Sequence, residues 1–200
     1  LIIGGGAIDA GLEAEIRQLP GKVYSTYGMT ETLSHIALRR LNGPDASTLY
    51  YPFPSVRLSL SPEHTLIIDA PLVCDTILVT NDVAEINSDG SFSILGRKDN
   101  TINTGGIKVQ AEQVEDILRP WIHVPFAITS VSDAALGEAI VLLIENGGYT
   151  ERLEEKMKEL LTKYQLPKMV FSVGTIPLTE TGKINRAGCR QLAATYQVGR

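Results

Sequence analysis

Two hundred residues with 44% apolar and 20% charged side chains make a globular chain of one or two domains, not a disordered one. A net charge of −5, with no Lys/Arg block longer than two residues, argues against a nucleic-acid partner. No run of 18 apolar residues is present, so no membrane partner is expected.

Cys74 and Cys189 are far apart and lack metal-ligand spacing. They read as reduced thiols of a cytoplasmic protein. His35, His64 and His123 form no motif. The chain opens on Leu1-Ile2-Ile3 without an initiator Met or a signal-peptide start, and the expectation is a piece of a longer protein cut upstream.

Residues 1–3 read as a buried strand, and Gly4, Gly5 and Gly6 as a turn that side chains would block. Asp9 can cap a helix whose apolar positions Leu12, Ile16 and Leu19 share a face, ended by Pro20-Gly21. Strand, glycine turn and helix can turn backbone N–H groups toward a nucleotide. The same frame is an ordinary α/β connection.

Residues 23–27 form the next strand and deliver Gly28-Met29-Thr30-Glu31-Thr32. Two hydroxyls flanking a carboxylate at a strand end suit a phosphate with a hard cation. They equally suit a capped helix start. Residues 33–41 are mixed, and 42–54 read as loop.

Short strands follow at 55–60, 66–68, 77–79, 83–86 and 92–95, the last two joined by a hairpin turn at Asn87-Ser88-Asp89-Gly90. They suggest a sheet or small distorted barrel. Asp82 falls on the turn Thr80-Asn81-Asp82, where a carboxylate can hold a ribose diol or make an Asx bond; local pattern favours the latter.

Gly96-Arg97-Lys98-Asp99-Asn100-Thr101-Ile102-Asn103-Thr104-Gly105-Gly106-Ile107-Lys108 is a polar, glycine-rich joint, and composition alone favours a plain linker. At its end 107–109 reads as a short strand; beyond it, 111–118 is helical, 126–132 and 139–145 are strands, and 150–163 is an amphipathic helix with a solvated charged face. A strand at 169–173 and a helix at 186–196 complete a small α+β domain with two or three strands and three helices. Pro177 to Lys183 is a polar loop. Its lysine is ordinarily a solvated surface residue, though an ammonium on a mobile element can also meet developing negative charge.

Taken in order, these motifs resemble the adenylate-forming superfamily of acyl-CoA synthetases, peptide-synthetase adenylation domains and firefly-type luciferases. Tyr27-Gly28-Met29-Thr30-Glu31-Thr32 is similar to its YGxTE motif, and Thr80-Asn81-Asp82 to its TGD motif without the glycine. Gly96, Arg97, Asp99, Ile102, Gly106 and Val109 fall on the fixed positions of its GRxDxxIxxxGxxVxxxEIE pattern. The closing EIE reads Gln113-Val114-Glu115, with glutamine in place of the first carboxylate. Pro177-Leu178-Thr179-Glu180-Thr181-Gly182-Lys183-Ile184 resembles PxTxxGKI.

The resemblance implies the C-terminal part of a large AMP-binding domain over 1–98, with sheet and distorted barrel, and a small mobile α+β domain over 99–200. It implies ATP, Mg²⁺ and CoA, and a carboxylic acid as the further substrate. Glu31 would hold Mg²⁺ and Thr30 the adenylate phosphate, with Gly28 and Met29 in the same nucleotide-binding motif. Gly4, Gly5, Gly6 and Tyr27 would line the acyl and adenine pocket. Asp82 and Arg97 would hold the ribose, Asp99 would be the hinge, Gly105 and Gly106 would flank the pantetheine tunnel, and Lys183 would bridge carboxylate and phosphate.

Residues 27–37 most resemble 2-succinylbenzoate–CoA ligases of menaquinone synthesis, where Ser34 and His35 could meet a second substrate carboxylate. The superfamily's glycine-rich phosphate loop is absent from these residues, so the 200 residues alone are expected to be inactive. A domain loading a carrier-protein thiol, or a non-catalytic nucleotide-binding module, are the other readings.

Overall fold

The computed structural model describes residues 1–4, 8 and 10–198. The chain divides into two compact units, Leu1–Lys98 and Asp99–Arg200, each a mixture of sheet and few helices. Gly5, Gly6 and Asp9, assigned above to the glycine turn and the helix cap, lie outside the described residues.

In the first unit, β1 (Ile2–Ile3) pairs parallel with β2 (Tyr24–Gly28), which pairs antiparallel with β3 (His35–Arg40) and through it with β4 (Tyr51–Pro52). The stretch expected to be mixed is therefore a strand. Its Ile36 and Ala37 are buried in the core beside Tyr27, a placement the crowded polar sequence around them conceals. Helix α1 (Ala10–Ile16) buries Ile16 against Val23 and Leu41. Leu12 and Leu19 are exposed, and the helix ends at Ile16, before Leu19 is reached.

The expected distorted barrel is an open antiparallel meander: β5 (Arg57–Leu60), β6 (Thr65–Asp69), β7 (Leu78–Ile86) and β8 (Phe92–Arg97). Its buried face carries Leu66, Ile68, Ala84 and Phe92. The expected strands at 77–79 and 83–86 are one strand, β7, with a register shift between Val83 and Ala84.

In the second unit, β9 (Thr101–Thr104), inside the stretch read as a joint, forms a hairpin with β10 (Ile107–Gln110), which covers the short strand expected at 107–109. Helix α2 (Ala111–Leu118), β11 (Phe126–Asp133), β12 (Gly137–Glu145), α3 (Glu151–Leu160), β13 (Met169–Val173) and α4 (Arg186–Val198) follow. The sheet has five strands rather than two or three, in the order β10-β9-β12-β11 with β13 parallel to β12.

Residues 139–144 of β12 are apolar without alternation because both faces are covered. Ile140, Leu142 and Ile144 pack with α2 and α3, while Ala139, Val141 and Leu143 pack with Phe171, Cys189 and Ala193. Thr150 caps α3 by accepting the Leu153 N–H at 3.2 Å. Among the described residues, no helix is long and apolar enough to cross a membrane.

Candidate functional site

Strand β2 ends in a β-bulge between Tyr27 and Gly28. A Cβ at Gly28 would sit 2.3 Å from the Ser34 carbonyl oxygen and 2.7 Å from the His35 Cα, so only glycine lets the chain fold back this closely. A single 3₁₀ turn, Thr30–Thr32, fills the return. The buried Thr32 hydroxyl accepts the Met29 N–H at 3.1 Å and donates to the Ser34 carbonyl at 2.7 Å. Thr32 therefore does the capping work of this motif. Thr30 and Glu31 are left on the surface at the strand end.

Tyr27 points the other way. Its ring packs on Phe92 and Tyr50, with centroids 5.4 and 5.9 Å away, and its hydroxyl donates to Asp82 Oδ2 at 2.7 Å. Burial, and then the Asp82 carboxylate, push the phenol well above the ordinary tyrosine range, so it stays a protonated donor.

Asp82 lies within β7, not on the turn expected for it. Its partner across the ladder is Arg97 of β8, whose guanidinium reaches Asp82 Oδ1 at 3.3 Å. Two donors on one carboxylate keep a polar run inside the strand, which explains why turn chemistry was the wrong guide. The Thr80 hydroxyl accepts the Asp82 N–H at 3.1 Å. Tyr27, Asp82 and Arg97 thus form one connected group on the first unit.

Gly4 follows β1, and a Cβ there would meet the Thr26 hydroxyl at 2.5 Å, so the backbone runs directly against β2. The Ser34 hydroxyl and His35 Nδ1 are 2.9 Å apart, and the imidazole packs edgewise on Phe53.

On the second unit, Asp99 is the first residue, inside a 3₁₀ turn at Lys98–Asn100. Gly105 and Gly106 form the two-residue turn of the β9–β10 hairpin, with φ of 59° and 81°. Two successive left-handed residues are the demand of a type I′ turn, and this is why a glycine pair can belong to ordered structure. The Gly105 N–H donates to the Leu136 carbonyl at 2.8 Å, while a side chain at 106 would enter open space.

Lys183 sits on a closed loop. Leu178 and Ile184 form a β-bridge, the Thr179 N–H donates to the Lys183 carbonyl at 2.7 Å, and the Lys183 N–H donates to the Thr179 hydroxyl at 3.1 Å. Gly182 supplies the left-handed corner at φ 77°. The side chain of Lys183 is exposed.

Two functional candidates were not legible. Arg186 opens α4 and makes paired bonds to Glu115 of α2, at 2.6 and 2.8 Å. Seventy-one residues separate them, and no spacing in a single sequence signals that pairing. Burial works against the Arg186 charge, but Glu115 outweighs it and holds the guanidinium above its usual range.

Among the described residues, no three His, Cys, Asp or Glu side chains cluster to hold a metal. A lone exposed carboxylate, Glu31, still fits Mg²⁺, which commonly takes one or two carboxylates together with substrate phosphates and waters. Cys74 and Cys189 are both free, and burial pushes the Cys189 thiol up to about 11.

No protein-family model matches the chain. It is 26% identical over 203 aligned residues to the 2-succinylbenzoate–CoA ligase of Lactococcus lactis subsp. lactis, covering 93% of this chain and 45% of that protein. The chain therefore spans about half the length of the curated relatives it matches. Among solved structures, an acyl-CoA synthetase (AMP-forming)/AMP-acid ligase II-like protein from Dyadobacter fermentans is 33% identical with a TM-score of 0.52, over 98% of this chain and 57% of that one. In sequence and fold the chain is similar to adenylate-forming acyl-CoA synthetases over most of its length. The superfamily fold recurs at a TM-score of 0.74 and 21% identity in the O-succinylbenzoate coenzyme A synthetase of Bacillus subtilis, solved with ATP and magnesium ion, over 93% of this chain and 45% of that one.

Proposed function

We propose that this chain is the C-terminal part of an ATP-dependent acid–CoA ligase whose acid is 2-succinylbenzoate, in the cytoplasmic synthesis of menaquinone. Leu1–Lys98 is then the end of the large AMP-binding domain, and Asp99–Arg200 the small domain that turns about Asp99 between two half-reactions. The observation that carries the reading is the Tyr27–Asp82–Arg97 group, which joins residues of three sequence motifs near the carboxyl end of β2, where Tyr27 lies. α/β folds bind ligands at such strand ends.

In the first half-reaction a carboxylate oxygen attacks the α-phosphorus of ATP and the bond to pyrophosphate breaks. Mg²⁺ held at Glu31 supplies charge neutralisation on the phosphates when bound. Thr30 donates its hydroxyl to a phosphate oxygen, and Asp82, oriented by Tyr27 and Arg97, accepts from the ribose diol. The assigned role of Lys183 is to bridge the substrate carboxylate and the phosphate in this step. One such preorganised donor is worth about 10²–10³ in rate.

In the second half-reaction the CoA thiolate attacks the acyl carbonyl, AMP leaves, and the thiol approaches past Gly105 and Gly106. Ser34 and His35 stand beside β2 to receive the second carboxylate of 2-succinylbenzoate. The test is exchange of radiolabelled pyrophosphate into ATP by the protein expressed from its complete gene. Exchange that depends on 2-succinylbenzoate supports the reading, and acid-independent or absent exchange contradicts it.

A further inference from the structure

The second unit contains a polar network that the two half-reactions do not by themselves require. Arg186 is mostly buried, and its guanidinium reaches both oxygens of Glu115, the Ile128 carbonyl at 3.1 Å, and Glu112 at 3.6 Å. Glu115 is almost wholly buried and also accepts the Ile128 N–H at 2.8 Å. Glu112 in turn accepts from Asn100, and its other oxygen, Oε2, is buried without a partner.

A buried ion pair is weak as a source of stability, because desolvation offsets much of the attraction. Its paired geometry, however, fixes direction. What it fixes here follows from the chain. Arg186 is three residues from Lys183. Between them, the Asn185 N–H donates to the Pro177 carbonyl at 2.9 Å, and Asn185 Oδ1 accepts the Gly188 N–H at 3.0 Å, capping α4. Gly188 lies so close to Pro177 that a Cβ there would stand 3.0 Å from the proline Cβ. Every link from the guanidinium to the Lys183 loop is a short bond or a tight contact.

We infer that Arg186, clamped by Glu115, is a positioning residue for Lys183: it sets the place of the 177–185 loop on the core of the second unit. This rests on the reading of Lys183 given above. Thioester formation from preformed adenylate has no use for the loop and does not depend on the clamp.

The test uses Arg186→Lys, which keeps the charge but cannot bind Glu115 through a planar fork, and Glu115→Gln as a second variant should the first fold poorly. Two quantities are measured on the protein expressed from its complete gene. The first is hydrogen exchange at the Thr179, Gly182, Lys183 and Asn185 amides, which needs no substrate. The second is the pair of half-reactions, with 2-succinylbenzoate and ATP in one and synthetic 2-succinylbenzoyl-adenylate and CoA in the other.

The clamp predicts faster exchange at those amides with the β11–β12 core still protected. It also predicts adenylation slower by about 10–100-fold, as a displacement of about 1 Å can produce, and thioester formation within about twofold of the parent. Unchanged exchange at the loop, or equal slowing of both half-reactions, overturns it. Lys183→Ala separates the two claims: if it leaves adenylation intact, the role of Lys183 falls, while loop exchange alone still decides whether Arg186 holds the loop.

Discussion

The Tyr27 phenol donates a 2.7 Å hydrogen bond to Asp82 across 55 residues of sequence. The two residues belong to different motifs, and neither motif by itself reveals the other. The bond turns an apparent turn aspartate into a strand residue with Tyr27 on one oxygen and Arg97 on the other.

Tyr27→Phe keeps the ring contacts with Phe92 and Tyr50 and removes only the donor. Loss of a hydrogen bond to a charged acceptor costs about 1.5–3 kcal/mol, which urea denaturation would register. We expect the KM for ATP to rise several-fold as Asp82 loses its orientation. A variant equal to the parent in both would remove Tyr27 from the site.

The same bond predicts a pH dependence. Tyr27 ionises at higher pH in the folded protein than in the unfolded chain. Its contribution to stability is thus complete below about 10, the unfolded value, and is lost as pH rises toward the folded one. Alkaline denaturation should begin above pH about 10, and Tyr27→Phe should flatten that limb of the curve. Identical alkaline limbs in parent and variant contradict the assignment.

Gly28→Ala places a methyl carbon 2.3 Å from the Ser34 carbonyl oxygen, with backbone rather than a flexible side chain in the way. The bulge has to open, and the Thr30–Thr32 turn with it. We expect a loss of about 1–3 kcal/mol in stability, the order of a forced backbone rearrangement, together with loss of ATP-dependent turnover. A fully stable, active Gly28→Ala protein would show that the close return of the chain is not needed.

These two motifs mark how far a single sequence could be read. The β7–β8 hairpin and the amphipathic helix that begins near Thr150 follow from local pattern, because turn residues and apolar periodicity are local signals. The β9 strand was hidden because Asn103 is a poor strand former and the run is short and followed by a glycine pair that reads as a joint, and the hairpin is held to β12 by pairing at Thr104 and Gly137. The Thr30 and Glu31 positions were legible as a motif. That Thr32 would be the capping hydroxyl was not, since all three polar side chains look alike in sequence. The Arg186–Glu115 clamp is wholly tertiary.

Gly106→Asn separates backbone from space at the β9–β10 turn. Asparagine tolerates the left-handed conformation, and a side chain there meets no neighbour within 4 Å. Stability should stay within about 1 kcal/mol of the parent. If the thiol passes this turn, thioester formation from preformed adenylate falls and adenylation does not. Equal rates in both steps would take the turn out of the CoA path.

Lys183→Ala removes an exposed ammonium from a loop closed by its own backbone bonds, so the fold should be unaffected. Acyl-adenylate formation is expected to slow by about 10²–10³, and thioester formation from preformed adenylate to be nearly unchanged. The two rates, measured in single turnovers, decide it; parallel loss in both steps would contradict a role confined to adenylation.

The most direct measurement is pyrophosphate release by the protein expressed from its complete gene, with ATP, Mg²⁺ and 2-succinylbenzoate, with and without CoA, and with the products identified by mass. The account predicts release that requires the acid, 2-succinylbenzoyl-adenylate without CoA, and the CoA thioester with AMP when CoA is added. Release with other carboxylic acids but not this one would contradict the substrate assignment, and no acid-dependent release from any of them would contradict adenylate formation itself.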